Sequence, residues 1–402
     1  GKSSSLKKRR IPSEQTRKEL ADIDTLTEEK IDVQLKNHIV ALSGIPDGHF
    51  PVKYLGVPLV PSRLSKGDCK VLIDRITSRI KSWSSKFLSY AGRLQLVSSV
   101  LFSIQIYWTS IFMLPKGILK EIESILGAFL WTGTELKHVG AKVSWATVCN
   151  PKAEGGLGLR RLLDWNKASL MRHLWNLLTC KEGLWIKWCH GFYIKNRSFW
   201  ALKIPNDCSW SWKKLLSIRG EFRKCIKSRI GNGLKTFLWF DDWHPVGPLL
   251  EKYGSRIIRS FNSNINARVS SFIENDCWKW PAFPSPSVEE LKNLTPENFV
   301  PMIHSEDTTI WTPSSSGIFS TFSAWDWIRG KLPKVAWSHL VWGADIVPRF
   351  AFILWLLCKN RLPTKDKIIG WGIPASPMCL LCSREVESFE HLFFTCPFAA
   401  KV

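Results

Sequence analysis

The sequence has no long apolar run and none of the common motifs of hydrolases or nucleotide-binding enzymes. Its strongest apolar block, Ala351 to Cys358, is too short to span a bilayer, and no apolar segment follows a basic start as in a secretory signal. Gly-x-Ser-x-Gly, His-Glu-x-x-His and the Gly-Lys-Ser/Thr ending of a phosphate-binding loop are all missing. We therefore expect a soluble intracellular protein with no catalytic residues of its own.

Acidic residues are scarce. Asp and Glu number 34 against 56 Lys and Arg, which gives a net charge of +22 and a pI near 9.6. So large an excess of one sign favours a polyanionic partner, and nucleic acid is the commonest one. A solubilising surface charge and an acidic membrane surface are the weaker alternatives.

Tyrosine is also rare, with 5 residues against 22 tryptophans, and the 11 cysteines form no regular framework. Scattered cysteines in odd number are typical of a reducing compartment, so disulfides are not expected. Some tryptophans adjoin basic residues, as in Lys187-Trp188 and Trp278-Lys279-Trp280, which could stack nucleic-acid bases. Most recur among Leu, Ile and Phe at helical or alternating spacing, and we favour a core role for them.

The most specific motif lies near the C-terminus, where Cys379, Cys382, His391 and Cys396 follow the spacing C-x2-C-x8-H-x4-C. Three thiolates and one imidazole are a ligand set that tetrahedral Zn²⁺ favours. Four protein ligands fill the coordination sphere, so the motif predicts a structural zinc rather than a catalytic one. The alternative is a group of ordinary reduced cysteines beside a surface histidine.

Apolar periodicity predicts a mainly α, multi-domain fold. We expect helices at about 67–83, 90–110, 116–131 and 161–179, and a helical pattern again from 311 to about 370. A buried strand is predicted over 51–60 and a strand-like piece over 143–148. A hairpin is predicted from Gly231-Asn232-Gly233 into 237–240, and an irregular connector over 245–315.

These elements divide the chain into four predicted regions. A disordered or loosely helical basic and mixed-charge tail occupies 1–35, where Lys7 to Arg10 could serve as a nuclear address. A helical bundle follows over 36–135, and a Trp-rich α+β connection region with an irregular linker over 136–310. A small zinc-binding domain is expected over 311–402.

Two further motifs carry weaker signals. Asp241-Asp242 could hold a pair of Mg²⁺ ions, but no neighbouring strand offers a partner carboxylate, and a capped turn is favoured. The glycine-rich loop 154–158, flanked by Lys152, Arg160 and Arg161, could contact nucleic-acid phosphates or could simply lead into a helix.

Several separated motifs resemble, in order, the reverse transcriptase of plant LINE-type (non-LTR) retrotransposons downstream of its catalytic palm. The C-terminal cluster, with Phe389 to Cys396, is similar to the zinc-binding domain of that family. The resemblance covers about residues 40–402. Its other motifs are Lys53 to Leu59, Leu88 to Arg93, Phe129 to Trp131, and Pro151 to Gly158.

The resemblance implies a truncated RNA-directed DNA polymerase, since the palm aspartates of the family precede the Tyr-Leu-Gly motif. Tyr54, Leu55 and Gly56 would belong to the primer-gripping edge of the palm, and residues 67–131 to the thumb. The thumb would hold a template and primer duplex of RNA and DNA by its backbone. Its contact residues would be Arg75, Arg79, Lys81, Lys86 and Arg93.

By the same resemblance, zinc is the expected cofactor, and Mg²⁺ would bind only if a palm lies upstream. No membrane partner is expected, and the location is nuclear or cytoplasmic, with the nucleus favoured. Because the chain opens on Gly1, we expect a fragment or a trimmed product. The alternatives left open are the rear half of an active polymerase, a non-enzymatic interaction protein and a functionless relic.

Overall fold

The computed structural model describes residues 32–44, 52–54, 56–59, 63–83, 88–137, 140–180, 182–206, 208–282 and 284–401. The chain divides into two compact units, 1–60 and 61–402. Most of the predicted tail, together with Leu55 and Lys86, lies outside the described residues.

The described residues of the first unit form one helix and one short hairpin. Helix α1, Val33–Ser43, ends at Gly44, whose left-handed φ of 66° lets its N–H bond back to the Val40 carbonyl. Strands β1, Val52–Tyr54, and β2, Val57–Leu59, then pair antiparallel. The prediction of one strand over 51–60 is therefore wrong, because Gly56 at φ 81° reverses the chain in the middle of it.

The second unit is mainly α-helical, as predicted, and its described residues contain two antiparallel strand pairs with two to four residues per strand. Its helices are α2 Lys66–Lys81, α3 Tyr90–Leu96, α4 Phe102–Ile111, α5 Lys116–Thr132, α6 Trp145–Val148, α7 Leu162–Leu178, α8 Leu184–Cys189, α9 Trp210–Arg223, α10 Leu249–Tyr253, α11 Arg256–Ser260, α12 Pro286–Asn293, α13 Thr321–Ile328, α14 Ser338–Val341, α15 Pro348–Cys358 and α16 Lys365–Gly370. Its strands are β3 Ile226–Arg229, β4 Ile273–Glu274, β5 Cys277–Trp278 and β6 Thr308–Trp311.

The helices predicted from apolar spacing are confirmed within a few residues. Helix α2 begins at a capping box in which Ser65 and Asp68 bond reciprocally to each other's backbone N–H. Its apolar face, Leu72, Ile76 and Ile80, is buried. This face lies against α4 and α5, so the predicted helical bundle forms.

Helices α3 and α4 are joined by a π-helical segment, Val97–Leu101, into one continuous 22-residue helix, Tyr90–Ile111. By length and composition alone this helix could cross a membrane, so the expectation that no segment is long enough does not hold for it. It contacts α2, α5, α7 and α15. Part of its apolar surface is therefore buried within the protein.

The main core surrounds α7, and tryptophans fill much of it. Trp175 stacks on Phe319 at 5.9 Å between ring centroids, and the fully buried Trp311 stacks on Phe222 at 5.6 Å. Helices α9 and α13 pack on α7 around these rings. The prediction that most tryptophans are core residues is confirmed.

A second core includes the residues around Trp239 and much of the segment predicted to be an irregular connector, 245–315. Trp239, Trp243 and Phe272 are buried there among α10, α11, α12 and the β4–β5 pair. Trp243 Nε1 donates to the Leu238 carbonyl at 2.9 Å, so the indole satisfies its polar atom inside the core. The prediction of an irregular connector is wrong, because these helices and strands are too short for their apolar residues to show a clear period in the sequence.

The predicted hairpin over 231–240 is also wrong. Strand β3 pairs instead with the distant β6, in the register Ile226 opposite Trp311. The loop between Gly231 and Thr236 is organised by Asp307, which precedes β6. Its carboxylate accepts the backbone N–H groups of Gly231, Gly233, Lys235 and Thr236 and the Thr236 hydroxyl, at 2.8 to 3.0 Å.

The strand predicted over 143–148 is a short helix, α6. Ser144 caps it by accepting the Thr147 N–H at 3.3 Å. This hydrogen bond fixes a helical turn where β-branched residues alone favour a strand.

Candidate metal centre

The four predicted zinc ligands meet at one point. A single β-bridge between Met378 and Val386 returns the chain on itself, and Cys379 and Cys382 lie on the turn that it closes. His391 begins a π-helical turn, His391–Thr395, and Cys396 follows at its end. The three sulfur atoms and the imidazole nitrogen all lie within 4.8 Å of one another.

Backbone hydrogen bonds fix the first two ligands. The Cys379 N–H donates to the Glu385 carbonyl at 2.8 Å, and the Ser383 N–H donates to the Cys379 carbonyl at 2.9 Å. The Leu381 N–H points at the Cys379 sulfur, 3.4 Å away. Ser383 adopts a left-handed φ of 53°, which completes the tight turn.

The orientation of His391 is set by a carboxylate. Its Nδ1 lies 2.9 Å from Glu385 Oε2, and its Nε2 lies 3.2 Å from Cys382 Sγ. An Nδ1–H that donates to Glu385 leaves the Nε2 lone pair facing the sulfurs. Metal-binding histidines are commonly held this way, by a carboxylate on the nitrogen that does not ligate.

The centre is largely shielded from solvent, and its chemistry favours a metal. Cys379, His391 and Cys396 are buried, whereas Cys382 is half-buried. The pKa of the Cys382 thiol is lowered to about 6, first because the Arg384 backbone N–H donates to it. A thiolate is the form of cysteine that binds metal.

The residues present therefore fit a zinc ion. Zn–S distances of ~2.3 Å and Zn–N distances of ~2.0 Å place tetrahedral ligand atoms about 3.5 to 4 Å apart. The cluster is close to that spacing, and Cys379, Cys382, His391 and Cys396 would supply all four ligands. Such an ion would have no open position for water or substrate, so it would be structural.

Comparison with known proteins agrees with this geometry. Residues 319–402 match the family described as zinc-binding in reverse transcriptase. The chain is reverse-transcriptase-related. Residues 319–402 are called the zinc-binding region from here on.

Two Arabidopsis thaliana proteins are similar to more of the chain. "Putative ribonuclease H protein At1g65750" is 28% identical over 353 residues, which are 85% of this chain and 56% of that protein. "Uncharacterized mitochondrial protein AtMg00310" is 26% identical over 152 residues, which are 37% of this chain and 99% of that protein. The match therefore spans little more than half the length of the first relative.

The cations predicted to contact nucleic acid on α2 are available to solvent. Arg75, Arg79 and Lys81 are all exposed on this helix. The Arg79 guanidinium lies 5.7 Å from the Trp83 ring centre. In the first unit, Tyr54 ends β1 and Gly56 occupies the turn after it.

Arg93, which is predicted to contact nucleic acid, makes hydrogen bonds within the protein. Its guanidinium donates to the Leu130 and Trp131 carbonyls, at 3.5 and 3.3 Å, near the C-terminal end of α5. It also lies 5.4 Å from the Tyr90 ring centre. A cation at a helix C-terminus satisfies carbonyls that have no partner within the helix, so Arg93 holds α3 against α5.

The glycine-rich loop uses its N–H groups within the protein. Gly156, Leu157 and Gly158 donate to the carbonyls of Pro151, Val148 and Asn150, at 3.0, 3.0 and 2.9 Å. These groups are therefore not free to cradle a phosphate. Of the two interpretations of this loop, the structure favours the one without phosphate contact.

The same loop anchors the zinc-binding region. Glu154 accepts both terminal guanidinium nitrogens of Arg329 at 2.6 and 2.7 Å. Trp355 Nε1 donates to the Gly155 carbonyl at 3.0 Å, and the Val335 N–H to the Ala153 carbonyl at 2.9 Å. This docking function was missed from the sequence, because its partners lie far along the chain.

The basic residues that flank the loop contact aromatic rings and a carboxylate. Lys152 Nζ lies 4.5 Å from the Trp342 ring centre, and the Arg160 guanidinium lies 4.3 Å from that of Trp165. Burial lowers the pKa of Arg160. Arg161 is exposed and lies 3.8 Å from Glu123.

The Asp241-Asp242 pair is the capped turn favoured from the sequence. The Asp241 carboxylate accepts the Phe237 N–H at 2.7 Å, and burial raises its pKa to about 7. The Asp242 carbonyl accepts the Ser228 N–H at 2.7 Å. In the part of the chain that the structure describes, the candidate metal group is the C-terminal quartet.

Proposed function

We propose that this chain is the nucleic-acid-binding part of a LINE-type reverse transcriptase, from the region after the catalytic palm, and that it carries one structural zinc. The observation that carries this proposal is the Cys379, Cys382, His391 and Cys396 centre within the region matched by a reverse-transcriptase zinc-binding family. Zinc would fix the fold of this region, and it would take no part in a reaction.

The arrangement of the protein supports a binding role. The glycine-rich loop holds the zinc-binding region through the Glu154–Arg329 pair and the Trp355 indole, and helix α15 of this region packs on α3 of the helical bundle. The bundle exposes Arg75, Arg79 and Lys81 along one helix. Cations along a fixed helix can contact successive phosphates of a nucleic-acid backbone, and such contacts do not depend on base sequence.

Binding through phosphates makes a testable prediction about salt. Each neutralised phosphate releases condensed counterions, so the logarithm of the association constant should fall linearly with the logarithm of salt concentration. Fluorescence anisotropy with a labelled hybrid of RNA and DNA, from about 50 to 200 mM salt, measures this slope. An affinity that stays flat over this range would refute the proposal.

A pair of variants tests the predicted helix. Arg75→Gln with Arg79→Gln should reduce the steepness of the salt slope by about 1.8, because each contact with duplex contributes about 0.9. The matched control is Lys213→Gln with Lys224→Gln, which removes the same charge from exposed positions at α9. Equal slopes for the two double variants would exclude a specific role for α2.

A further inference from the structure

A cleft of about 750 Å³ lies between the turn before α6 and the end of α15. Lys142 lines one side of it. The other side is formed by Lys359, Asn360, Arg361, Lys367 and Trp371, from the zinc-binding region. The cleft is separate from the zinc ligands, none of which lines it.

The charge of the cleft is of one sign. Four of its lining side chains are basic, and none of its lining residues is Asp or Glu. Among the residues that the structure describes, Lys142, Lys359 and Arg361 form no ion pair. Three cations without carboxylate partners around one cavity create a positive potential that attracts a polyanion.

Lys367 has a supporting role. Its ammonium donates to the Asn360 carbonyl at 2.9 Å and to the Asn360 side-chain oxygen at 2.5 Å. Asn360 adopts a left-handed φ of 53° just after α15. The lysine thus fixes the turn that presents Lys359 and Arg361 to the cleft.

Trp371 gives the cleft an exposed aromatic face. It is 63% exposed, whereas most tryptophans of this chain are buried or half-buried. Its backbone N–H bonds to the Lys367 carbonyl at 2.9 Å, so the residue is anchored at the end of α16. An anchored, exposed indole beside cations is the arrangement that binds an unstacked base.

We propose that this cleft binds one nucleotide of a single-stranded nucleic acid, with its phosphate on Lys142, Lys359 and Arg361 and its base stacked on Trp371. The inference rests on the proposed function and assigns it a site. A single strand is required because the bases of a duplex are already stacked on each other and cannot cover the indole.

The test compares two variants with two controls. Trp371→Ala should weaken binding of a labelled single-stranded oligonucleotide on the order of 10-fold, the loss expected for one stacked base. The same variant should leave binding of inorganic polyphosphate, which has no bases, unchanged. Leu340→Ala is its control, since Leu340 is a 65% exposed apolar residue of the same region outside the cleft.

Arg361→Glu tests the phosphate site. It should weaken binding of both the oligonucleotide and polyphosphate, and more than Lys213→Glu does, although both variants change the net charge equally. Circular dichroism and zinc content verify that each variant is folded. RNA and DNA strands of equal sequence, and the corresponding duplex, show which form the cleft accepts.

The outcomes separate the two proposals. Weaker oligonucleotide binding by Trp371→Ala and Arg361→Glu, with both controls near wild type, supports the site. If all four variants bind the oligonucleotide as tightly as the wild-type protein does, the proposed site is wrong, and the proposed function is not affected. A wild-type protein that binds no nucleic acid overturns both proposals.

Discussion

Gly156 illustrates how a single residue decides whether the glycine-rich loop can form. A Cβ atom at this position would lie 2.0 Å from the Asn150 carbonyl oxygen, which is backbone and cannot move aside. We predict that Gly156→Ala lowers the free energy of unfolding by about 3 kcal/mol, the upper end of the usual cost of overpacking. Urea denaturation measures the change.

Gly220 provides the matched control. It lies inside α9 with no atom near the position of a Cβ, so Gly220→Ala should stabilise the protein by about 1 kcal/mol. A Gly156→Ala variant as stable as wild type would show that the loop is not as tightly packed as the structure indicates.

The role of a residue could be predicted from the sequence where its partners lie close to it along the chain. The zinc ligands belong to one short motif with the spacing of a known ligand set, and the structure brings all four together. The role of Asp307 was not predicted, because the backbone N–H groups that donate to its carboxylate lie about 70 residues earlier in the chain. Arg93 was given a nucleic-acid role because sequence cannot show that two helix carbonyls lie beside it.

At the scale of the elements, an ion pair joins Glu154 of the loop 152–158 to Arg329, which directly follows helix α13. Because of this pair, the stability of the protein should depend on pH. The side chains of Glu154 and Arg329 are only 10% and 12% exposed. The hydrogen bond from Arg329 lowers the pKa of Glu154 below its usual 4.5. Because the folded-state pKa is the lower one, the pair stabilises the protein above about pH 4.5, and this contribution is lost as pH falls through the folded-state value.

Glu154→Gln should therefore lower the free energy of unfolding by about 3 kcal/mol at pH 7, since it leaves a buried guanidinium without one of its carboxylates. The variant should also lose less stability than wild type on acidification below pH 4.5. Glu306→Gln is the control, because the Lys235–Glu306 pair is 63% and 73% exposed and should contribute little. Parallel acid curves for Glu154→Gln and wild type would contradict the assignment.

Whether a helix or strand could be predicted from the sequence depended on its length. Helices α2, α5 and α7 have 16, 17 and 17 residues, enough turns for an apolar face to show its period. Strands β3 and β6 have four residues each and pair across a long stretch of chain, so neither shows a local signal. The hairpin predicted at Gly231 followed turn residues that the protein uses for a loop around Asp307.

For the whole molecule, composition indicated the class of partner, and the structure adds where that partner could bind. The net charge of +22 predicts a polyanion but not a surface. The cleft beside Trp371 combines residues from two distant segments, which no sequence pattern could have joined. The division into four regions stays a prediction, since the described residues form two compact units with a boundary at residue 60.

The zinc-to-protein molar ratio, measured by elemental analysis of the purified chain, tests the central claim most directly. We predict one zinc per chain, none in the Cys379→Ser, Cys382→Ser double variant, and one in the Cys277→Ser, Cys358→Ser control, whose cysteines are exposed and outside the cluster. Chelation should unfold the C-terminal region, because metal binding and local folding are coupled in closed sites. A zinc-free wild-type protein, or a double variant that keeps its zinc, would contradict the account.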